Sequence, residues 1–155
     1  MDGRHPFFVR EAGERDLPLL ARLNRTLIED EGSSNSMTLP ELEARMAALV
    51  REGYTALLFY QEDAVLGYAL YRVEHGEGKD APFVFLKQFV IAREHRRRGY
   101  GLRAVDYLLR HAFPQNAVIS LDVLHANAAG RSFWEKAGFA PYYTNMKRWP
   151  EGMQP

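Results

Sequence analysis

A largely apolar segment that runs directly into arginines and glycines constrains this chain more than any other feature. Residues 83–92 (FVFLKQFVIA) are typical of a buried β-strand, and RRRGYG follows at positions 96–101. A helical pattern begins at Leu102. The first amides of a helix lack intrahelical acceptors, its dipole favours negative charge there, and Gly99 and Gly101 leave the main chain accessible. This strand, turn and helix therefore indicate a site for a phosphate-bearing small molecule.

Length and charge limit the classes of protein to consider. A chain of 155 residues predicts a single domain over residues 1–155, with a flexible tail at 150–155. The net charge is zero, with 20 basic and 20 acidic side chains, which gives no support to a general nucleic-acid or membrane-surface role. The basic residues are dense only between Arg93 and Arg103, which favours a focused anion site.

The chain contains no cysteine, which excludes disulfides, thiolate zinc sites and a cysteine nucleophile and fits a reducing compartment. Its five histidines lack the spacing of metal ligands, so we expect no metal. Neither a signal peptide nor an apolar run of membrane-spanning length is visible, so we expect a cytoplasmic protein.

The hydrophobic periodicity predicts the element order β-α-α-β-β-β-α-β-α-β, a mixed α/β (α+β) sheet flanked by helices. Asp16 is a candidate cap for the first helix and Thr38, with Glu41, for the second. A connection is expected over residues 74–80. The predicted strands are 6–10, 55–60, 65–73, 83–92, 117–124 and 142–149, and the predicted helices are 17–28, 39–50, 102–112 and 128–137.

Two motifs within residues 83–139 resemble the GCN5-related N-acetyltransferases (GNAT). The family signature Q/R-x-x-G-x-G/A matches Arg96, Gly99 and Gly101. Its second part, N-x-x-A/G-x-x-F/L-Y-x-x-x-G-F, matches residues 127–139 except for one position, where Trp134 replaces tyrosine. The resemblance implies a central mixed, mostly antiparallel sheet with flanking helices. It also implies transfer of an acetyl group from acetyl-coenzyme A to a primary amine by direct attack.

The same resemblance implies how the cofactor is bound. The diphosphate lies on main-chain amides of the arginine–glycine turn, and the pantetheine arm pairs with a strand edge next to a bulge, whose freed amide stabilises the thioester oxyanion. Asn127 hydrogen-bonds the arm. The alternative for the turn is a tight, solvated bend that binds nothing. The cofactor residues expected are Phe89, Val90, Ile91, Arg96, Arg97, Arg98, Gly99, Tyr100, Gly101, Leu102 and Asn127.

Asp122 is the candidate catalytic base. Some relatives have a glutamate at the matching position, and the shorter aspartate is expected to act through a water. The alternative is an aspartate at an exposed strand edge or paired with an arginine. Other positions that supply a base in relatives hold Phe85 and Lys87 here. Lys87 either attracts a substrate carboxylate or extends from a sheet face into solvent.

Trp134 leaves the proton donor open, because an indole N–H donates a hydrogen bond but does not release its proton near neutral pH. Three alternatives stay open: Trp134 steadies the leaving thiolate, Tyr142 or Tyr143 supplies the proton, or water does. Packing of Trp134 against the cofactor arm would be sufficient for cofactor binding. The acids at 29–31 either attract a cationic amine or form a solvated helix end.

The leading hypothesis is therefore an acetyl-coenzyme A-dependent N-acetyltransferase acting on a small-molecule amine, with no nucleic-acid or membrane partner. The second is a non-catalytic acyl-coenzyme A sensor, which Trp134 favours. RNA binding through residues 95–101 ranks third, because arginine–glycine segments of that kind usually lie in disordered, basic surroundings. Homodimers are common in this fold.

Overall fold

A five-stranded sheet with helices on both faces forms the core of the protein. The computed structural model describes residues 7–75 and 81–153. The strand order is β1-β2-β3-β4-β5, with antiparallel pairing throughout except between β4 and β5, which are parallel. The strands are β1 (Phe7–Glu11), β2 (Thr55–Gln61), β3 (Ala64–Glu74), β4 (Phe83–Ile91) and β5 (Val118–Ser120), and the helices are α1 (Leu17–Glu31), α2 (Leu39–Arg51), α3 (Tyr100–Tyr107, continued by a π turn to Ala112) and α4 (Ala128–Lys136). The predicted mixed, mostly antiparallel sheet is confirmed.

Each face of the sheet has its own apolar cluster. Side chains of α1 and α2 pack on one face around buried Leu58, Tyr68 and Leu70. The π-extended α3 packs on the other face against Phe59 and Val84, among other residues. Because β4 contributes to both clusters, its residues hold the two halves of the protein together.

A β-bulge in β4 reverses the alternation of its side chains, so that odd- and even-numbered residues change the cluster they face. Leu70 pairs with Gln88 and Tyr71 with Leu86, so Lys87 is the extra residue. Before the bulge the even-numbered Leu86 faces the α3 side, and after it the odd-numbered Phe89 does. The bulge is therefore at Lys87, just ahead of residues 89–91.

The helix caps only partly follow the prediction. Thr38 caps α2, accepting a hydrogen bond from the Glu41 amide at 3.3 Å. Asp16 precedes α1 but does not cap it, and that expectation was wrong. Its carboxylate is taken by two hydrogen bonds from Arg10, at 2.8 and 2.9 Å, and one from the Gly13 amide at 2.7 Å.

The predicted sixth strand, at 142–149, is not formed. Its apolar residues (142, 143, 146 and 149) do not alternate with polar ones, and prolines lie at both of its ends. Tyr142 is 96% exposed and Met146 90% exposed, so these side chains do not pack on the sheet. β5 is also shorter than the predicted 117–124. Most of the expected connection at 74–80 lies outside the described residues.

Within the described parts of the chain, no helix combines the length and the apolar character needed to cross a membrane.

Candidate active site

The strands β4 and β5 pair over a short stretch and then separate. Their ladder joins Phe83–Phe85 to Val118–Ser120, whereas β4 continues to Ile91 with β3 alone as its partner among the described strands. The edge of β4 at residues 89–91 is therefore left without a neighbouring strand on the β5 side. Unpaired N–H and C=O groups at such an edge can accept an extended ligand as an additional strand.

The arginine–glycine turn connects this edge to α3. Arg97 and Gly99 have left-handed backbone conformations, with φ of 64° and 81°, and residues 96–99 are exposed. The Arg103 amide donates to Gly99 O at 3.1 Å, so the helix amides before it lack an intrahelical acceptor. Gly99 suits the turn because its φ is one that other residues rarely adopt.

Gly101 lies at a close contact between two helices. A Cβ at this position would lie 2.8 Å from Cε2 of Phe133 in α4. The absence of a side chain therefore lets α3 and α4 pack closely, which gives Gly101 a packing role in addition to the cofactor role expected from the sequence.

Arg96 holds the turn in place through its side chain. Its Nε donates to Ile91 O at 2.8 Å, and its guanidinium pairs with Asp30 at the end of α1. Arg93 pairs with both Asp30 and Glu29 at 2.9 Å. Burial raises the pKa of Asp30, but the hydrogen bonds from the two arginines outweigh it and lower that pKa. Two of the three acids at 29–31 therefore bind arginines.

Trp134 lies in an aromatic cluster that joins α4 to β4. Its ring centroid is 5.2 Å from that of Phe89, 4.8 Å from Phe133 and 5.2 Å from Phe139. Asn127 caps α4, because its Oδ1 accepts from the Gly130 amide at 3.0 Å. The structure thus brings Phe89, Gly101 and Trp134 together. It leaves Tyr142 and Tyr143 exposed, without contact to this cluster.

A cavity of about 200 Å³ lies beside the bulge, on the face that α1 and α2 cover. Asp122 lines it with an exposed side chain, from an irregular segment that follows β5, where a strand was expected. The other polar and charged residues around it are Asn24, Glu31, Ser33, Asn35, Arg45, Lys87 and Gln88.

Sequence reasoning missed Asn24, Arg45 and Gln88. Two of them carry a recognisable signal, since Asn24 interrupts the apolar stripe of α1 and Gln88 interrupts the apolar run of β4. Both side chains are buried, at 1% and 6% exposure. Because burying a polar side chain is unfavourable unless it has a partner, a polar residue within an apolar pattern indicates a buried polar contact or a polar cavity.

A buried hydrogen-bond chain lies beside the cavity. The hydroxyl of the fully buried Tyr68 donates to Gln88 Oε1 at 2.7 Å. Burial raises the pKa of Tyr68, and a hydrogen bond from Asn24 opposes that shift. Burial also raises the pKa of Glu31. No cluster of His, Asp or Glu suited to hold a metal ion is present among residues 7–75 and 81–153.

The sequence matches the Acetyltransferase (GNAT) family over residues 20–139, and the chain belongs to that family. Solved structures share the fold. A possible acetyltransferase from Clostridium difficile is 21% identical with a TM-score of 0.72, covering 93% of this chain and 97% of that one. A putative acetyltransferase from Agrobacterium tumefaciens is 25% identical with a TM-score of 0.71, at 92% and 99% coverage. The aminoglycoside N-acetyltransferase AAC(6')-Iy, solved with CoA, is 13% identical with a TM-score of 0.73, at 97% and 99% coverage. No curated protein matches the sequence.

Proposed function

We propose that this protein is an N-acetyltransferase that moves an acetyl group from acetyl-coenzyme A to a primary amine. One observation carries the proposal: β4 parts from β5 between the arginine–glycine turn and the cavity that Asp122 lines. The strand therefore borders both a place for the cofactor and a place for the acceptor.

The residues present suit coenzyme A. The free amides of residues 97–102 fit a diphosphate, because they lie at a helix N-terminus. The unpaired edge at residues 89–91 fits the amide-containing pantetheine arm. Asn127 lies at the start of α4, whose aromatic side chains contact that part of β4. Bound acetyl-coenzyme A would supply an activated acetyl thioester.

Asp122 would take the proton of the amine. Its exposed position after β5 leaves room for a water between carboxylate and amine. We assign the proton required by the released thiol to water, because Trp134 cannot supply one and is packed against three phenylalanine rings. In the family interpretation, the bulge at Lys87 would leave a backbone amide free for the oxyanion.

The test is thiol release from acetyl-coenzyme A with a panel of amines, comparing the wild type with Asp122→Asn. We expect kcat to fall roughly 100-fold in the variant, the scale of general base catalysis. Asp63→Asn, in the exposed β2–β3 turn, is the matched control and should leave the rate unchanged. An unchanged rate in Asp122→Asn removes Asp122 as the base. Failure to detect heat with coenzyme A in calorimetry removes the enzymatic proposal altogether.

A non-catalytic acyl-coenzyme A sensor is the second candidate, and the packed indole of Trp134 favours it. Trp134→Tyr separates the two. A wild type that binds coenzyme A but acetylates no amine, together with a variant that gains activity, supports the sensor. An active wild type, with the variant at the same rate or faster, supports the enzyme.

We further infer that the chain acts as one domain, in the cytoplasm, on a small molecule. The absence of cysteine from the sequence fits a reducing compartment. The balanced net charge offers no attraction to nucleic acid or to an anionic membrane.

A further inference from the structure

The cavity beside the bulge is lined by charges of both signs that lack ion-pair partners within residues 7–75 and 81–153. Arg45 and Lys87 line it, and neither forms a salt bridge with the described residues. The Lys87 ammonium instead lies 5.9 Å and 5.8 Å from the ring centroids of Tyr54 and Phe85. Glu31 and Asp122 line the same cavity, also without a salt bridge to the described part of the chain. Charges of both signs left unpaired around so small a volume are those that a ligand with both charges would neutralise.

A second, independent observation comes from Asn24. The residue is only 1% exposed, and its buried Oδ1 has no hydrogen-bond partner among the described residues. The Tyr68 hydroxyl gives its proton to Gln88, so toward Asn24 it can act only as an acceptor, for the amide N–H of that side chain. This orientation leaves the carbonyl oxygen of Asn24 unsatisfied in a residue that lines the cavity. A buried acceptor of this kind destabilises the protein unless a donor reaches it.

Resting on the acetyl transfer proposed above, we propose that the acceptor is a small amino acid-like zwitterion, a primary amine that also carries a carboxylate. Lys87 and Arg45 receive the carboxylate. Asn24 accepts an N–H of the ligand, and the ammonium is attracted by the two carboxylates of the cavity. The volume of about 200 Å³ fits an amino acid and is below the roughly 300–1,000 Å³ of sites for drug-sized ligands.

Calorimetry in the presence of coenzyme A tests the proposal without depending on turnover. The probes are the twenty standard L-amino acids, two of them matched to close analogues. Leucine is compared with 3-methylbutylamine and N-acetyl-leucine, and phenylalanine with 2-phenylethylamine. We expect at least one amino acid to bind, and its decarboxylated amine and its N-acetylated form to bind at least 10-fold more weakly.

Lys87→Met and Arg45→Met should each weaken binding of the amino acid about 10-fold and leave binding of its decarboxylated amine unchanged. Arg51→Met, at the exposed end of α2 outside the cavity, is the matched control and should change neither. Asn24→Leu should weaken binding of both ligands, because both offer an N–H to the same oxygen.

Two results overturn the proposal: no amino acid binds, or the decarboxylated amines bind as tightly as the amino acids. Thiol release from acetyl-coenzyme A with the same compounds then separates this failure from that of the proposed function. If simple amines are acetylated, the acetyltransferase stands and the zwitterion falls. If amino acids bind and no compound is acetylated, the site stands and the acetyltransferase falls.

Discussion

The C-terminal end of α1 contributes to two charged regions that differ in how their charges are paired. In the first, Glu29 and Asp30 bind Arg93 and Arg96, which flank and begin the arginine–glycine turn. In the second, the next residue, Glu31, lines the cavity with Arg45, and no salt bridge joins the two side chains. Adjacent residues of one helix therefore belong to two regions, one in which the charges form salt bridges and one in which they do not.

The difference separates charges that shape the fold from charges left for a ligand. Arg93 and Arg96 are held by the acids of α1, and Arg96 also fixes the backbone of the turn through its bond to Ile91 O, so these two side chains act in the fold. The cavity charges form no salt bridge with the described residues, and in the proposal above a ligand compensates their desolvation. The following substitutions test whether this division is real.

Disrupting the close contact between α3 and α4 should have the largest effect. Gly101→Val forces side-chain atoms against the Phe133 ring, whose Cε2 would lie only 2.8 Å from the new Cβ. Overpacking of this kind costs about 1–3 kcal/mol, which lowers Tm by roughly 2–4 °C for each kcal/mol. The displaced turn should also bind coenzyme A more weakly, while the cavity on the other face of the sheet keeps its ligand. Differential scanning calorimetry and titration with coenzyme A measure the two effects.

Gly13→Val is the control for that substitution. The nearest atom to a Cβ at Gly13 is Asp16 Oδ2 at 3.9 Å, so stability should change by no more than about 0.5 kcal/mol. Equal losses of stability in the two variants would show that the contact between Gly101 and Phe133 is not the cause of the loss.

The parts of the molecule that the sequence predicted well depend on local signals. The apolar run of β4, the turn at 96–101 and the start of α4 at Asn127 are each specified by neighbouring residues, and all three are present. The periodicity of α1 and the Thr38 cap of α2 belong to the same group. Their identification required no knowledge of what packs against them.

The errors concern residues whose roles depend on distant partners. Asp16 is an ordinary capping residue by sequence, but Arg10 takes its carboxylate because β1 brings the two together. The packing contact of Gly101 with Phe133 in another helix was also not visible in the sequence, although it does not contradict the expected cofactor role. The cavity residues Asn24 and Arg45 come from different helices, so their proximity was not visible in the chain. A strand at 142–149 requires a partner that the short β5 does not provide.

Removing Asp30, the acid that pairs with both Arg93 and Arg96, should have an intermediate effect. The folded protein lowers the pKa of Asp30, so the ionised side chain stabilises the fold above the pKa of the unfolded chain, and this contribution is lost as pH falls through the lowered pKa. Asp30→Asn should therefore cost about 1 kcal/mol at neutral pH and almost nothing in strong acid. Urea unfolding at several pH values measures it.

Asp106→Asn is the matched control for the paired acid. Asp106 forms a single exposed i,i+4 pair with Arg110, at 2.8 Å, and its removal should cost no more than about 0.5 kcal/mol. A loss as large as that of Asp30→Asn would mean that the two-arginine arrangement at the turn adds nothing beyond an ordinary surface pair.

The smallest effect, and one of opposite sign, is expected at Glu31. Burial raises the pKa of this side chain, so its protonated form is favoured by folding. That contribution is fully present below the unfolded pKa and is lost as pH rises through the raised folded value. At neutral pH the charged side chain is therefore unfavourable, and Glu31→Gln should stabilise the protein by about 0.5 kcal/mol. Near pH 4, where Glu31 is largely protonated, the gain should disappear.

Urea unfolding of Glu31→Gln beside Glu135→Gln, an exposed change on α4, tests this sign. A loss of stability at neutral pH would show that Glu31 has a favourable ionic partner, and the contrast between the two charged regions would then be wrong. A gain at neutral pH combined with weaker binding of the amino acid that the wild type binds would show that this carboxylate is kept for the ligand at the expense of the fold.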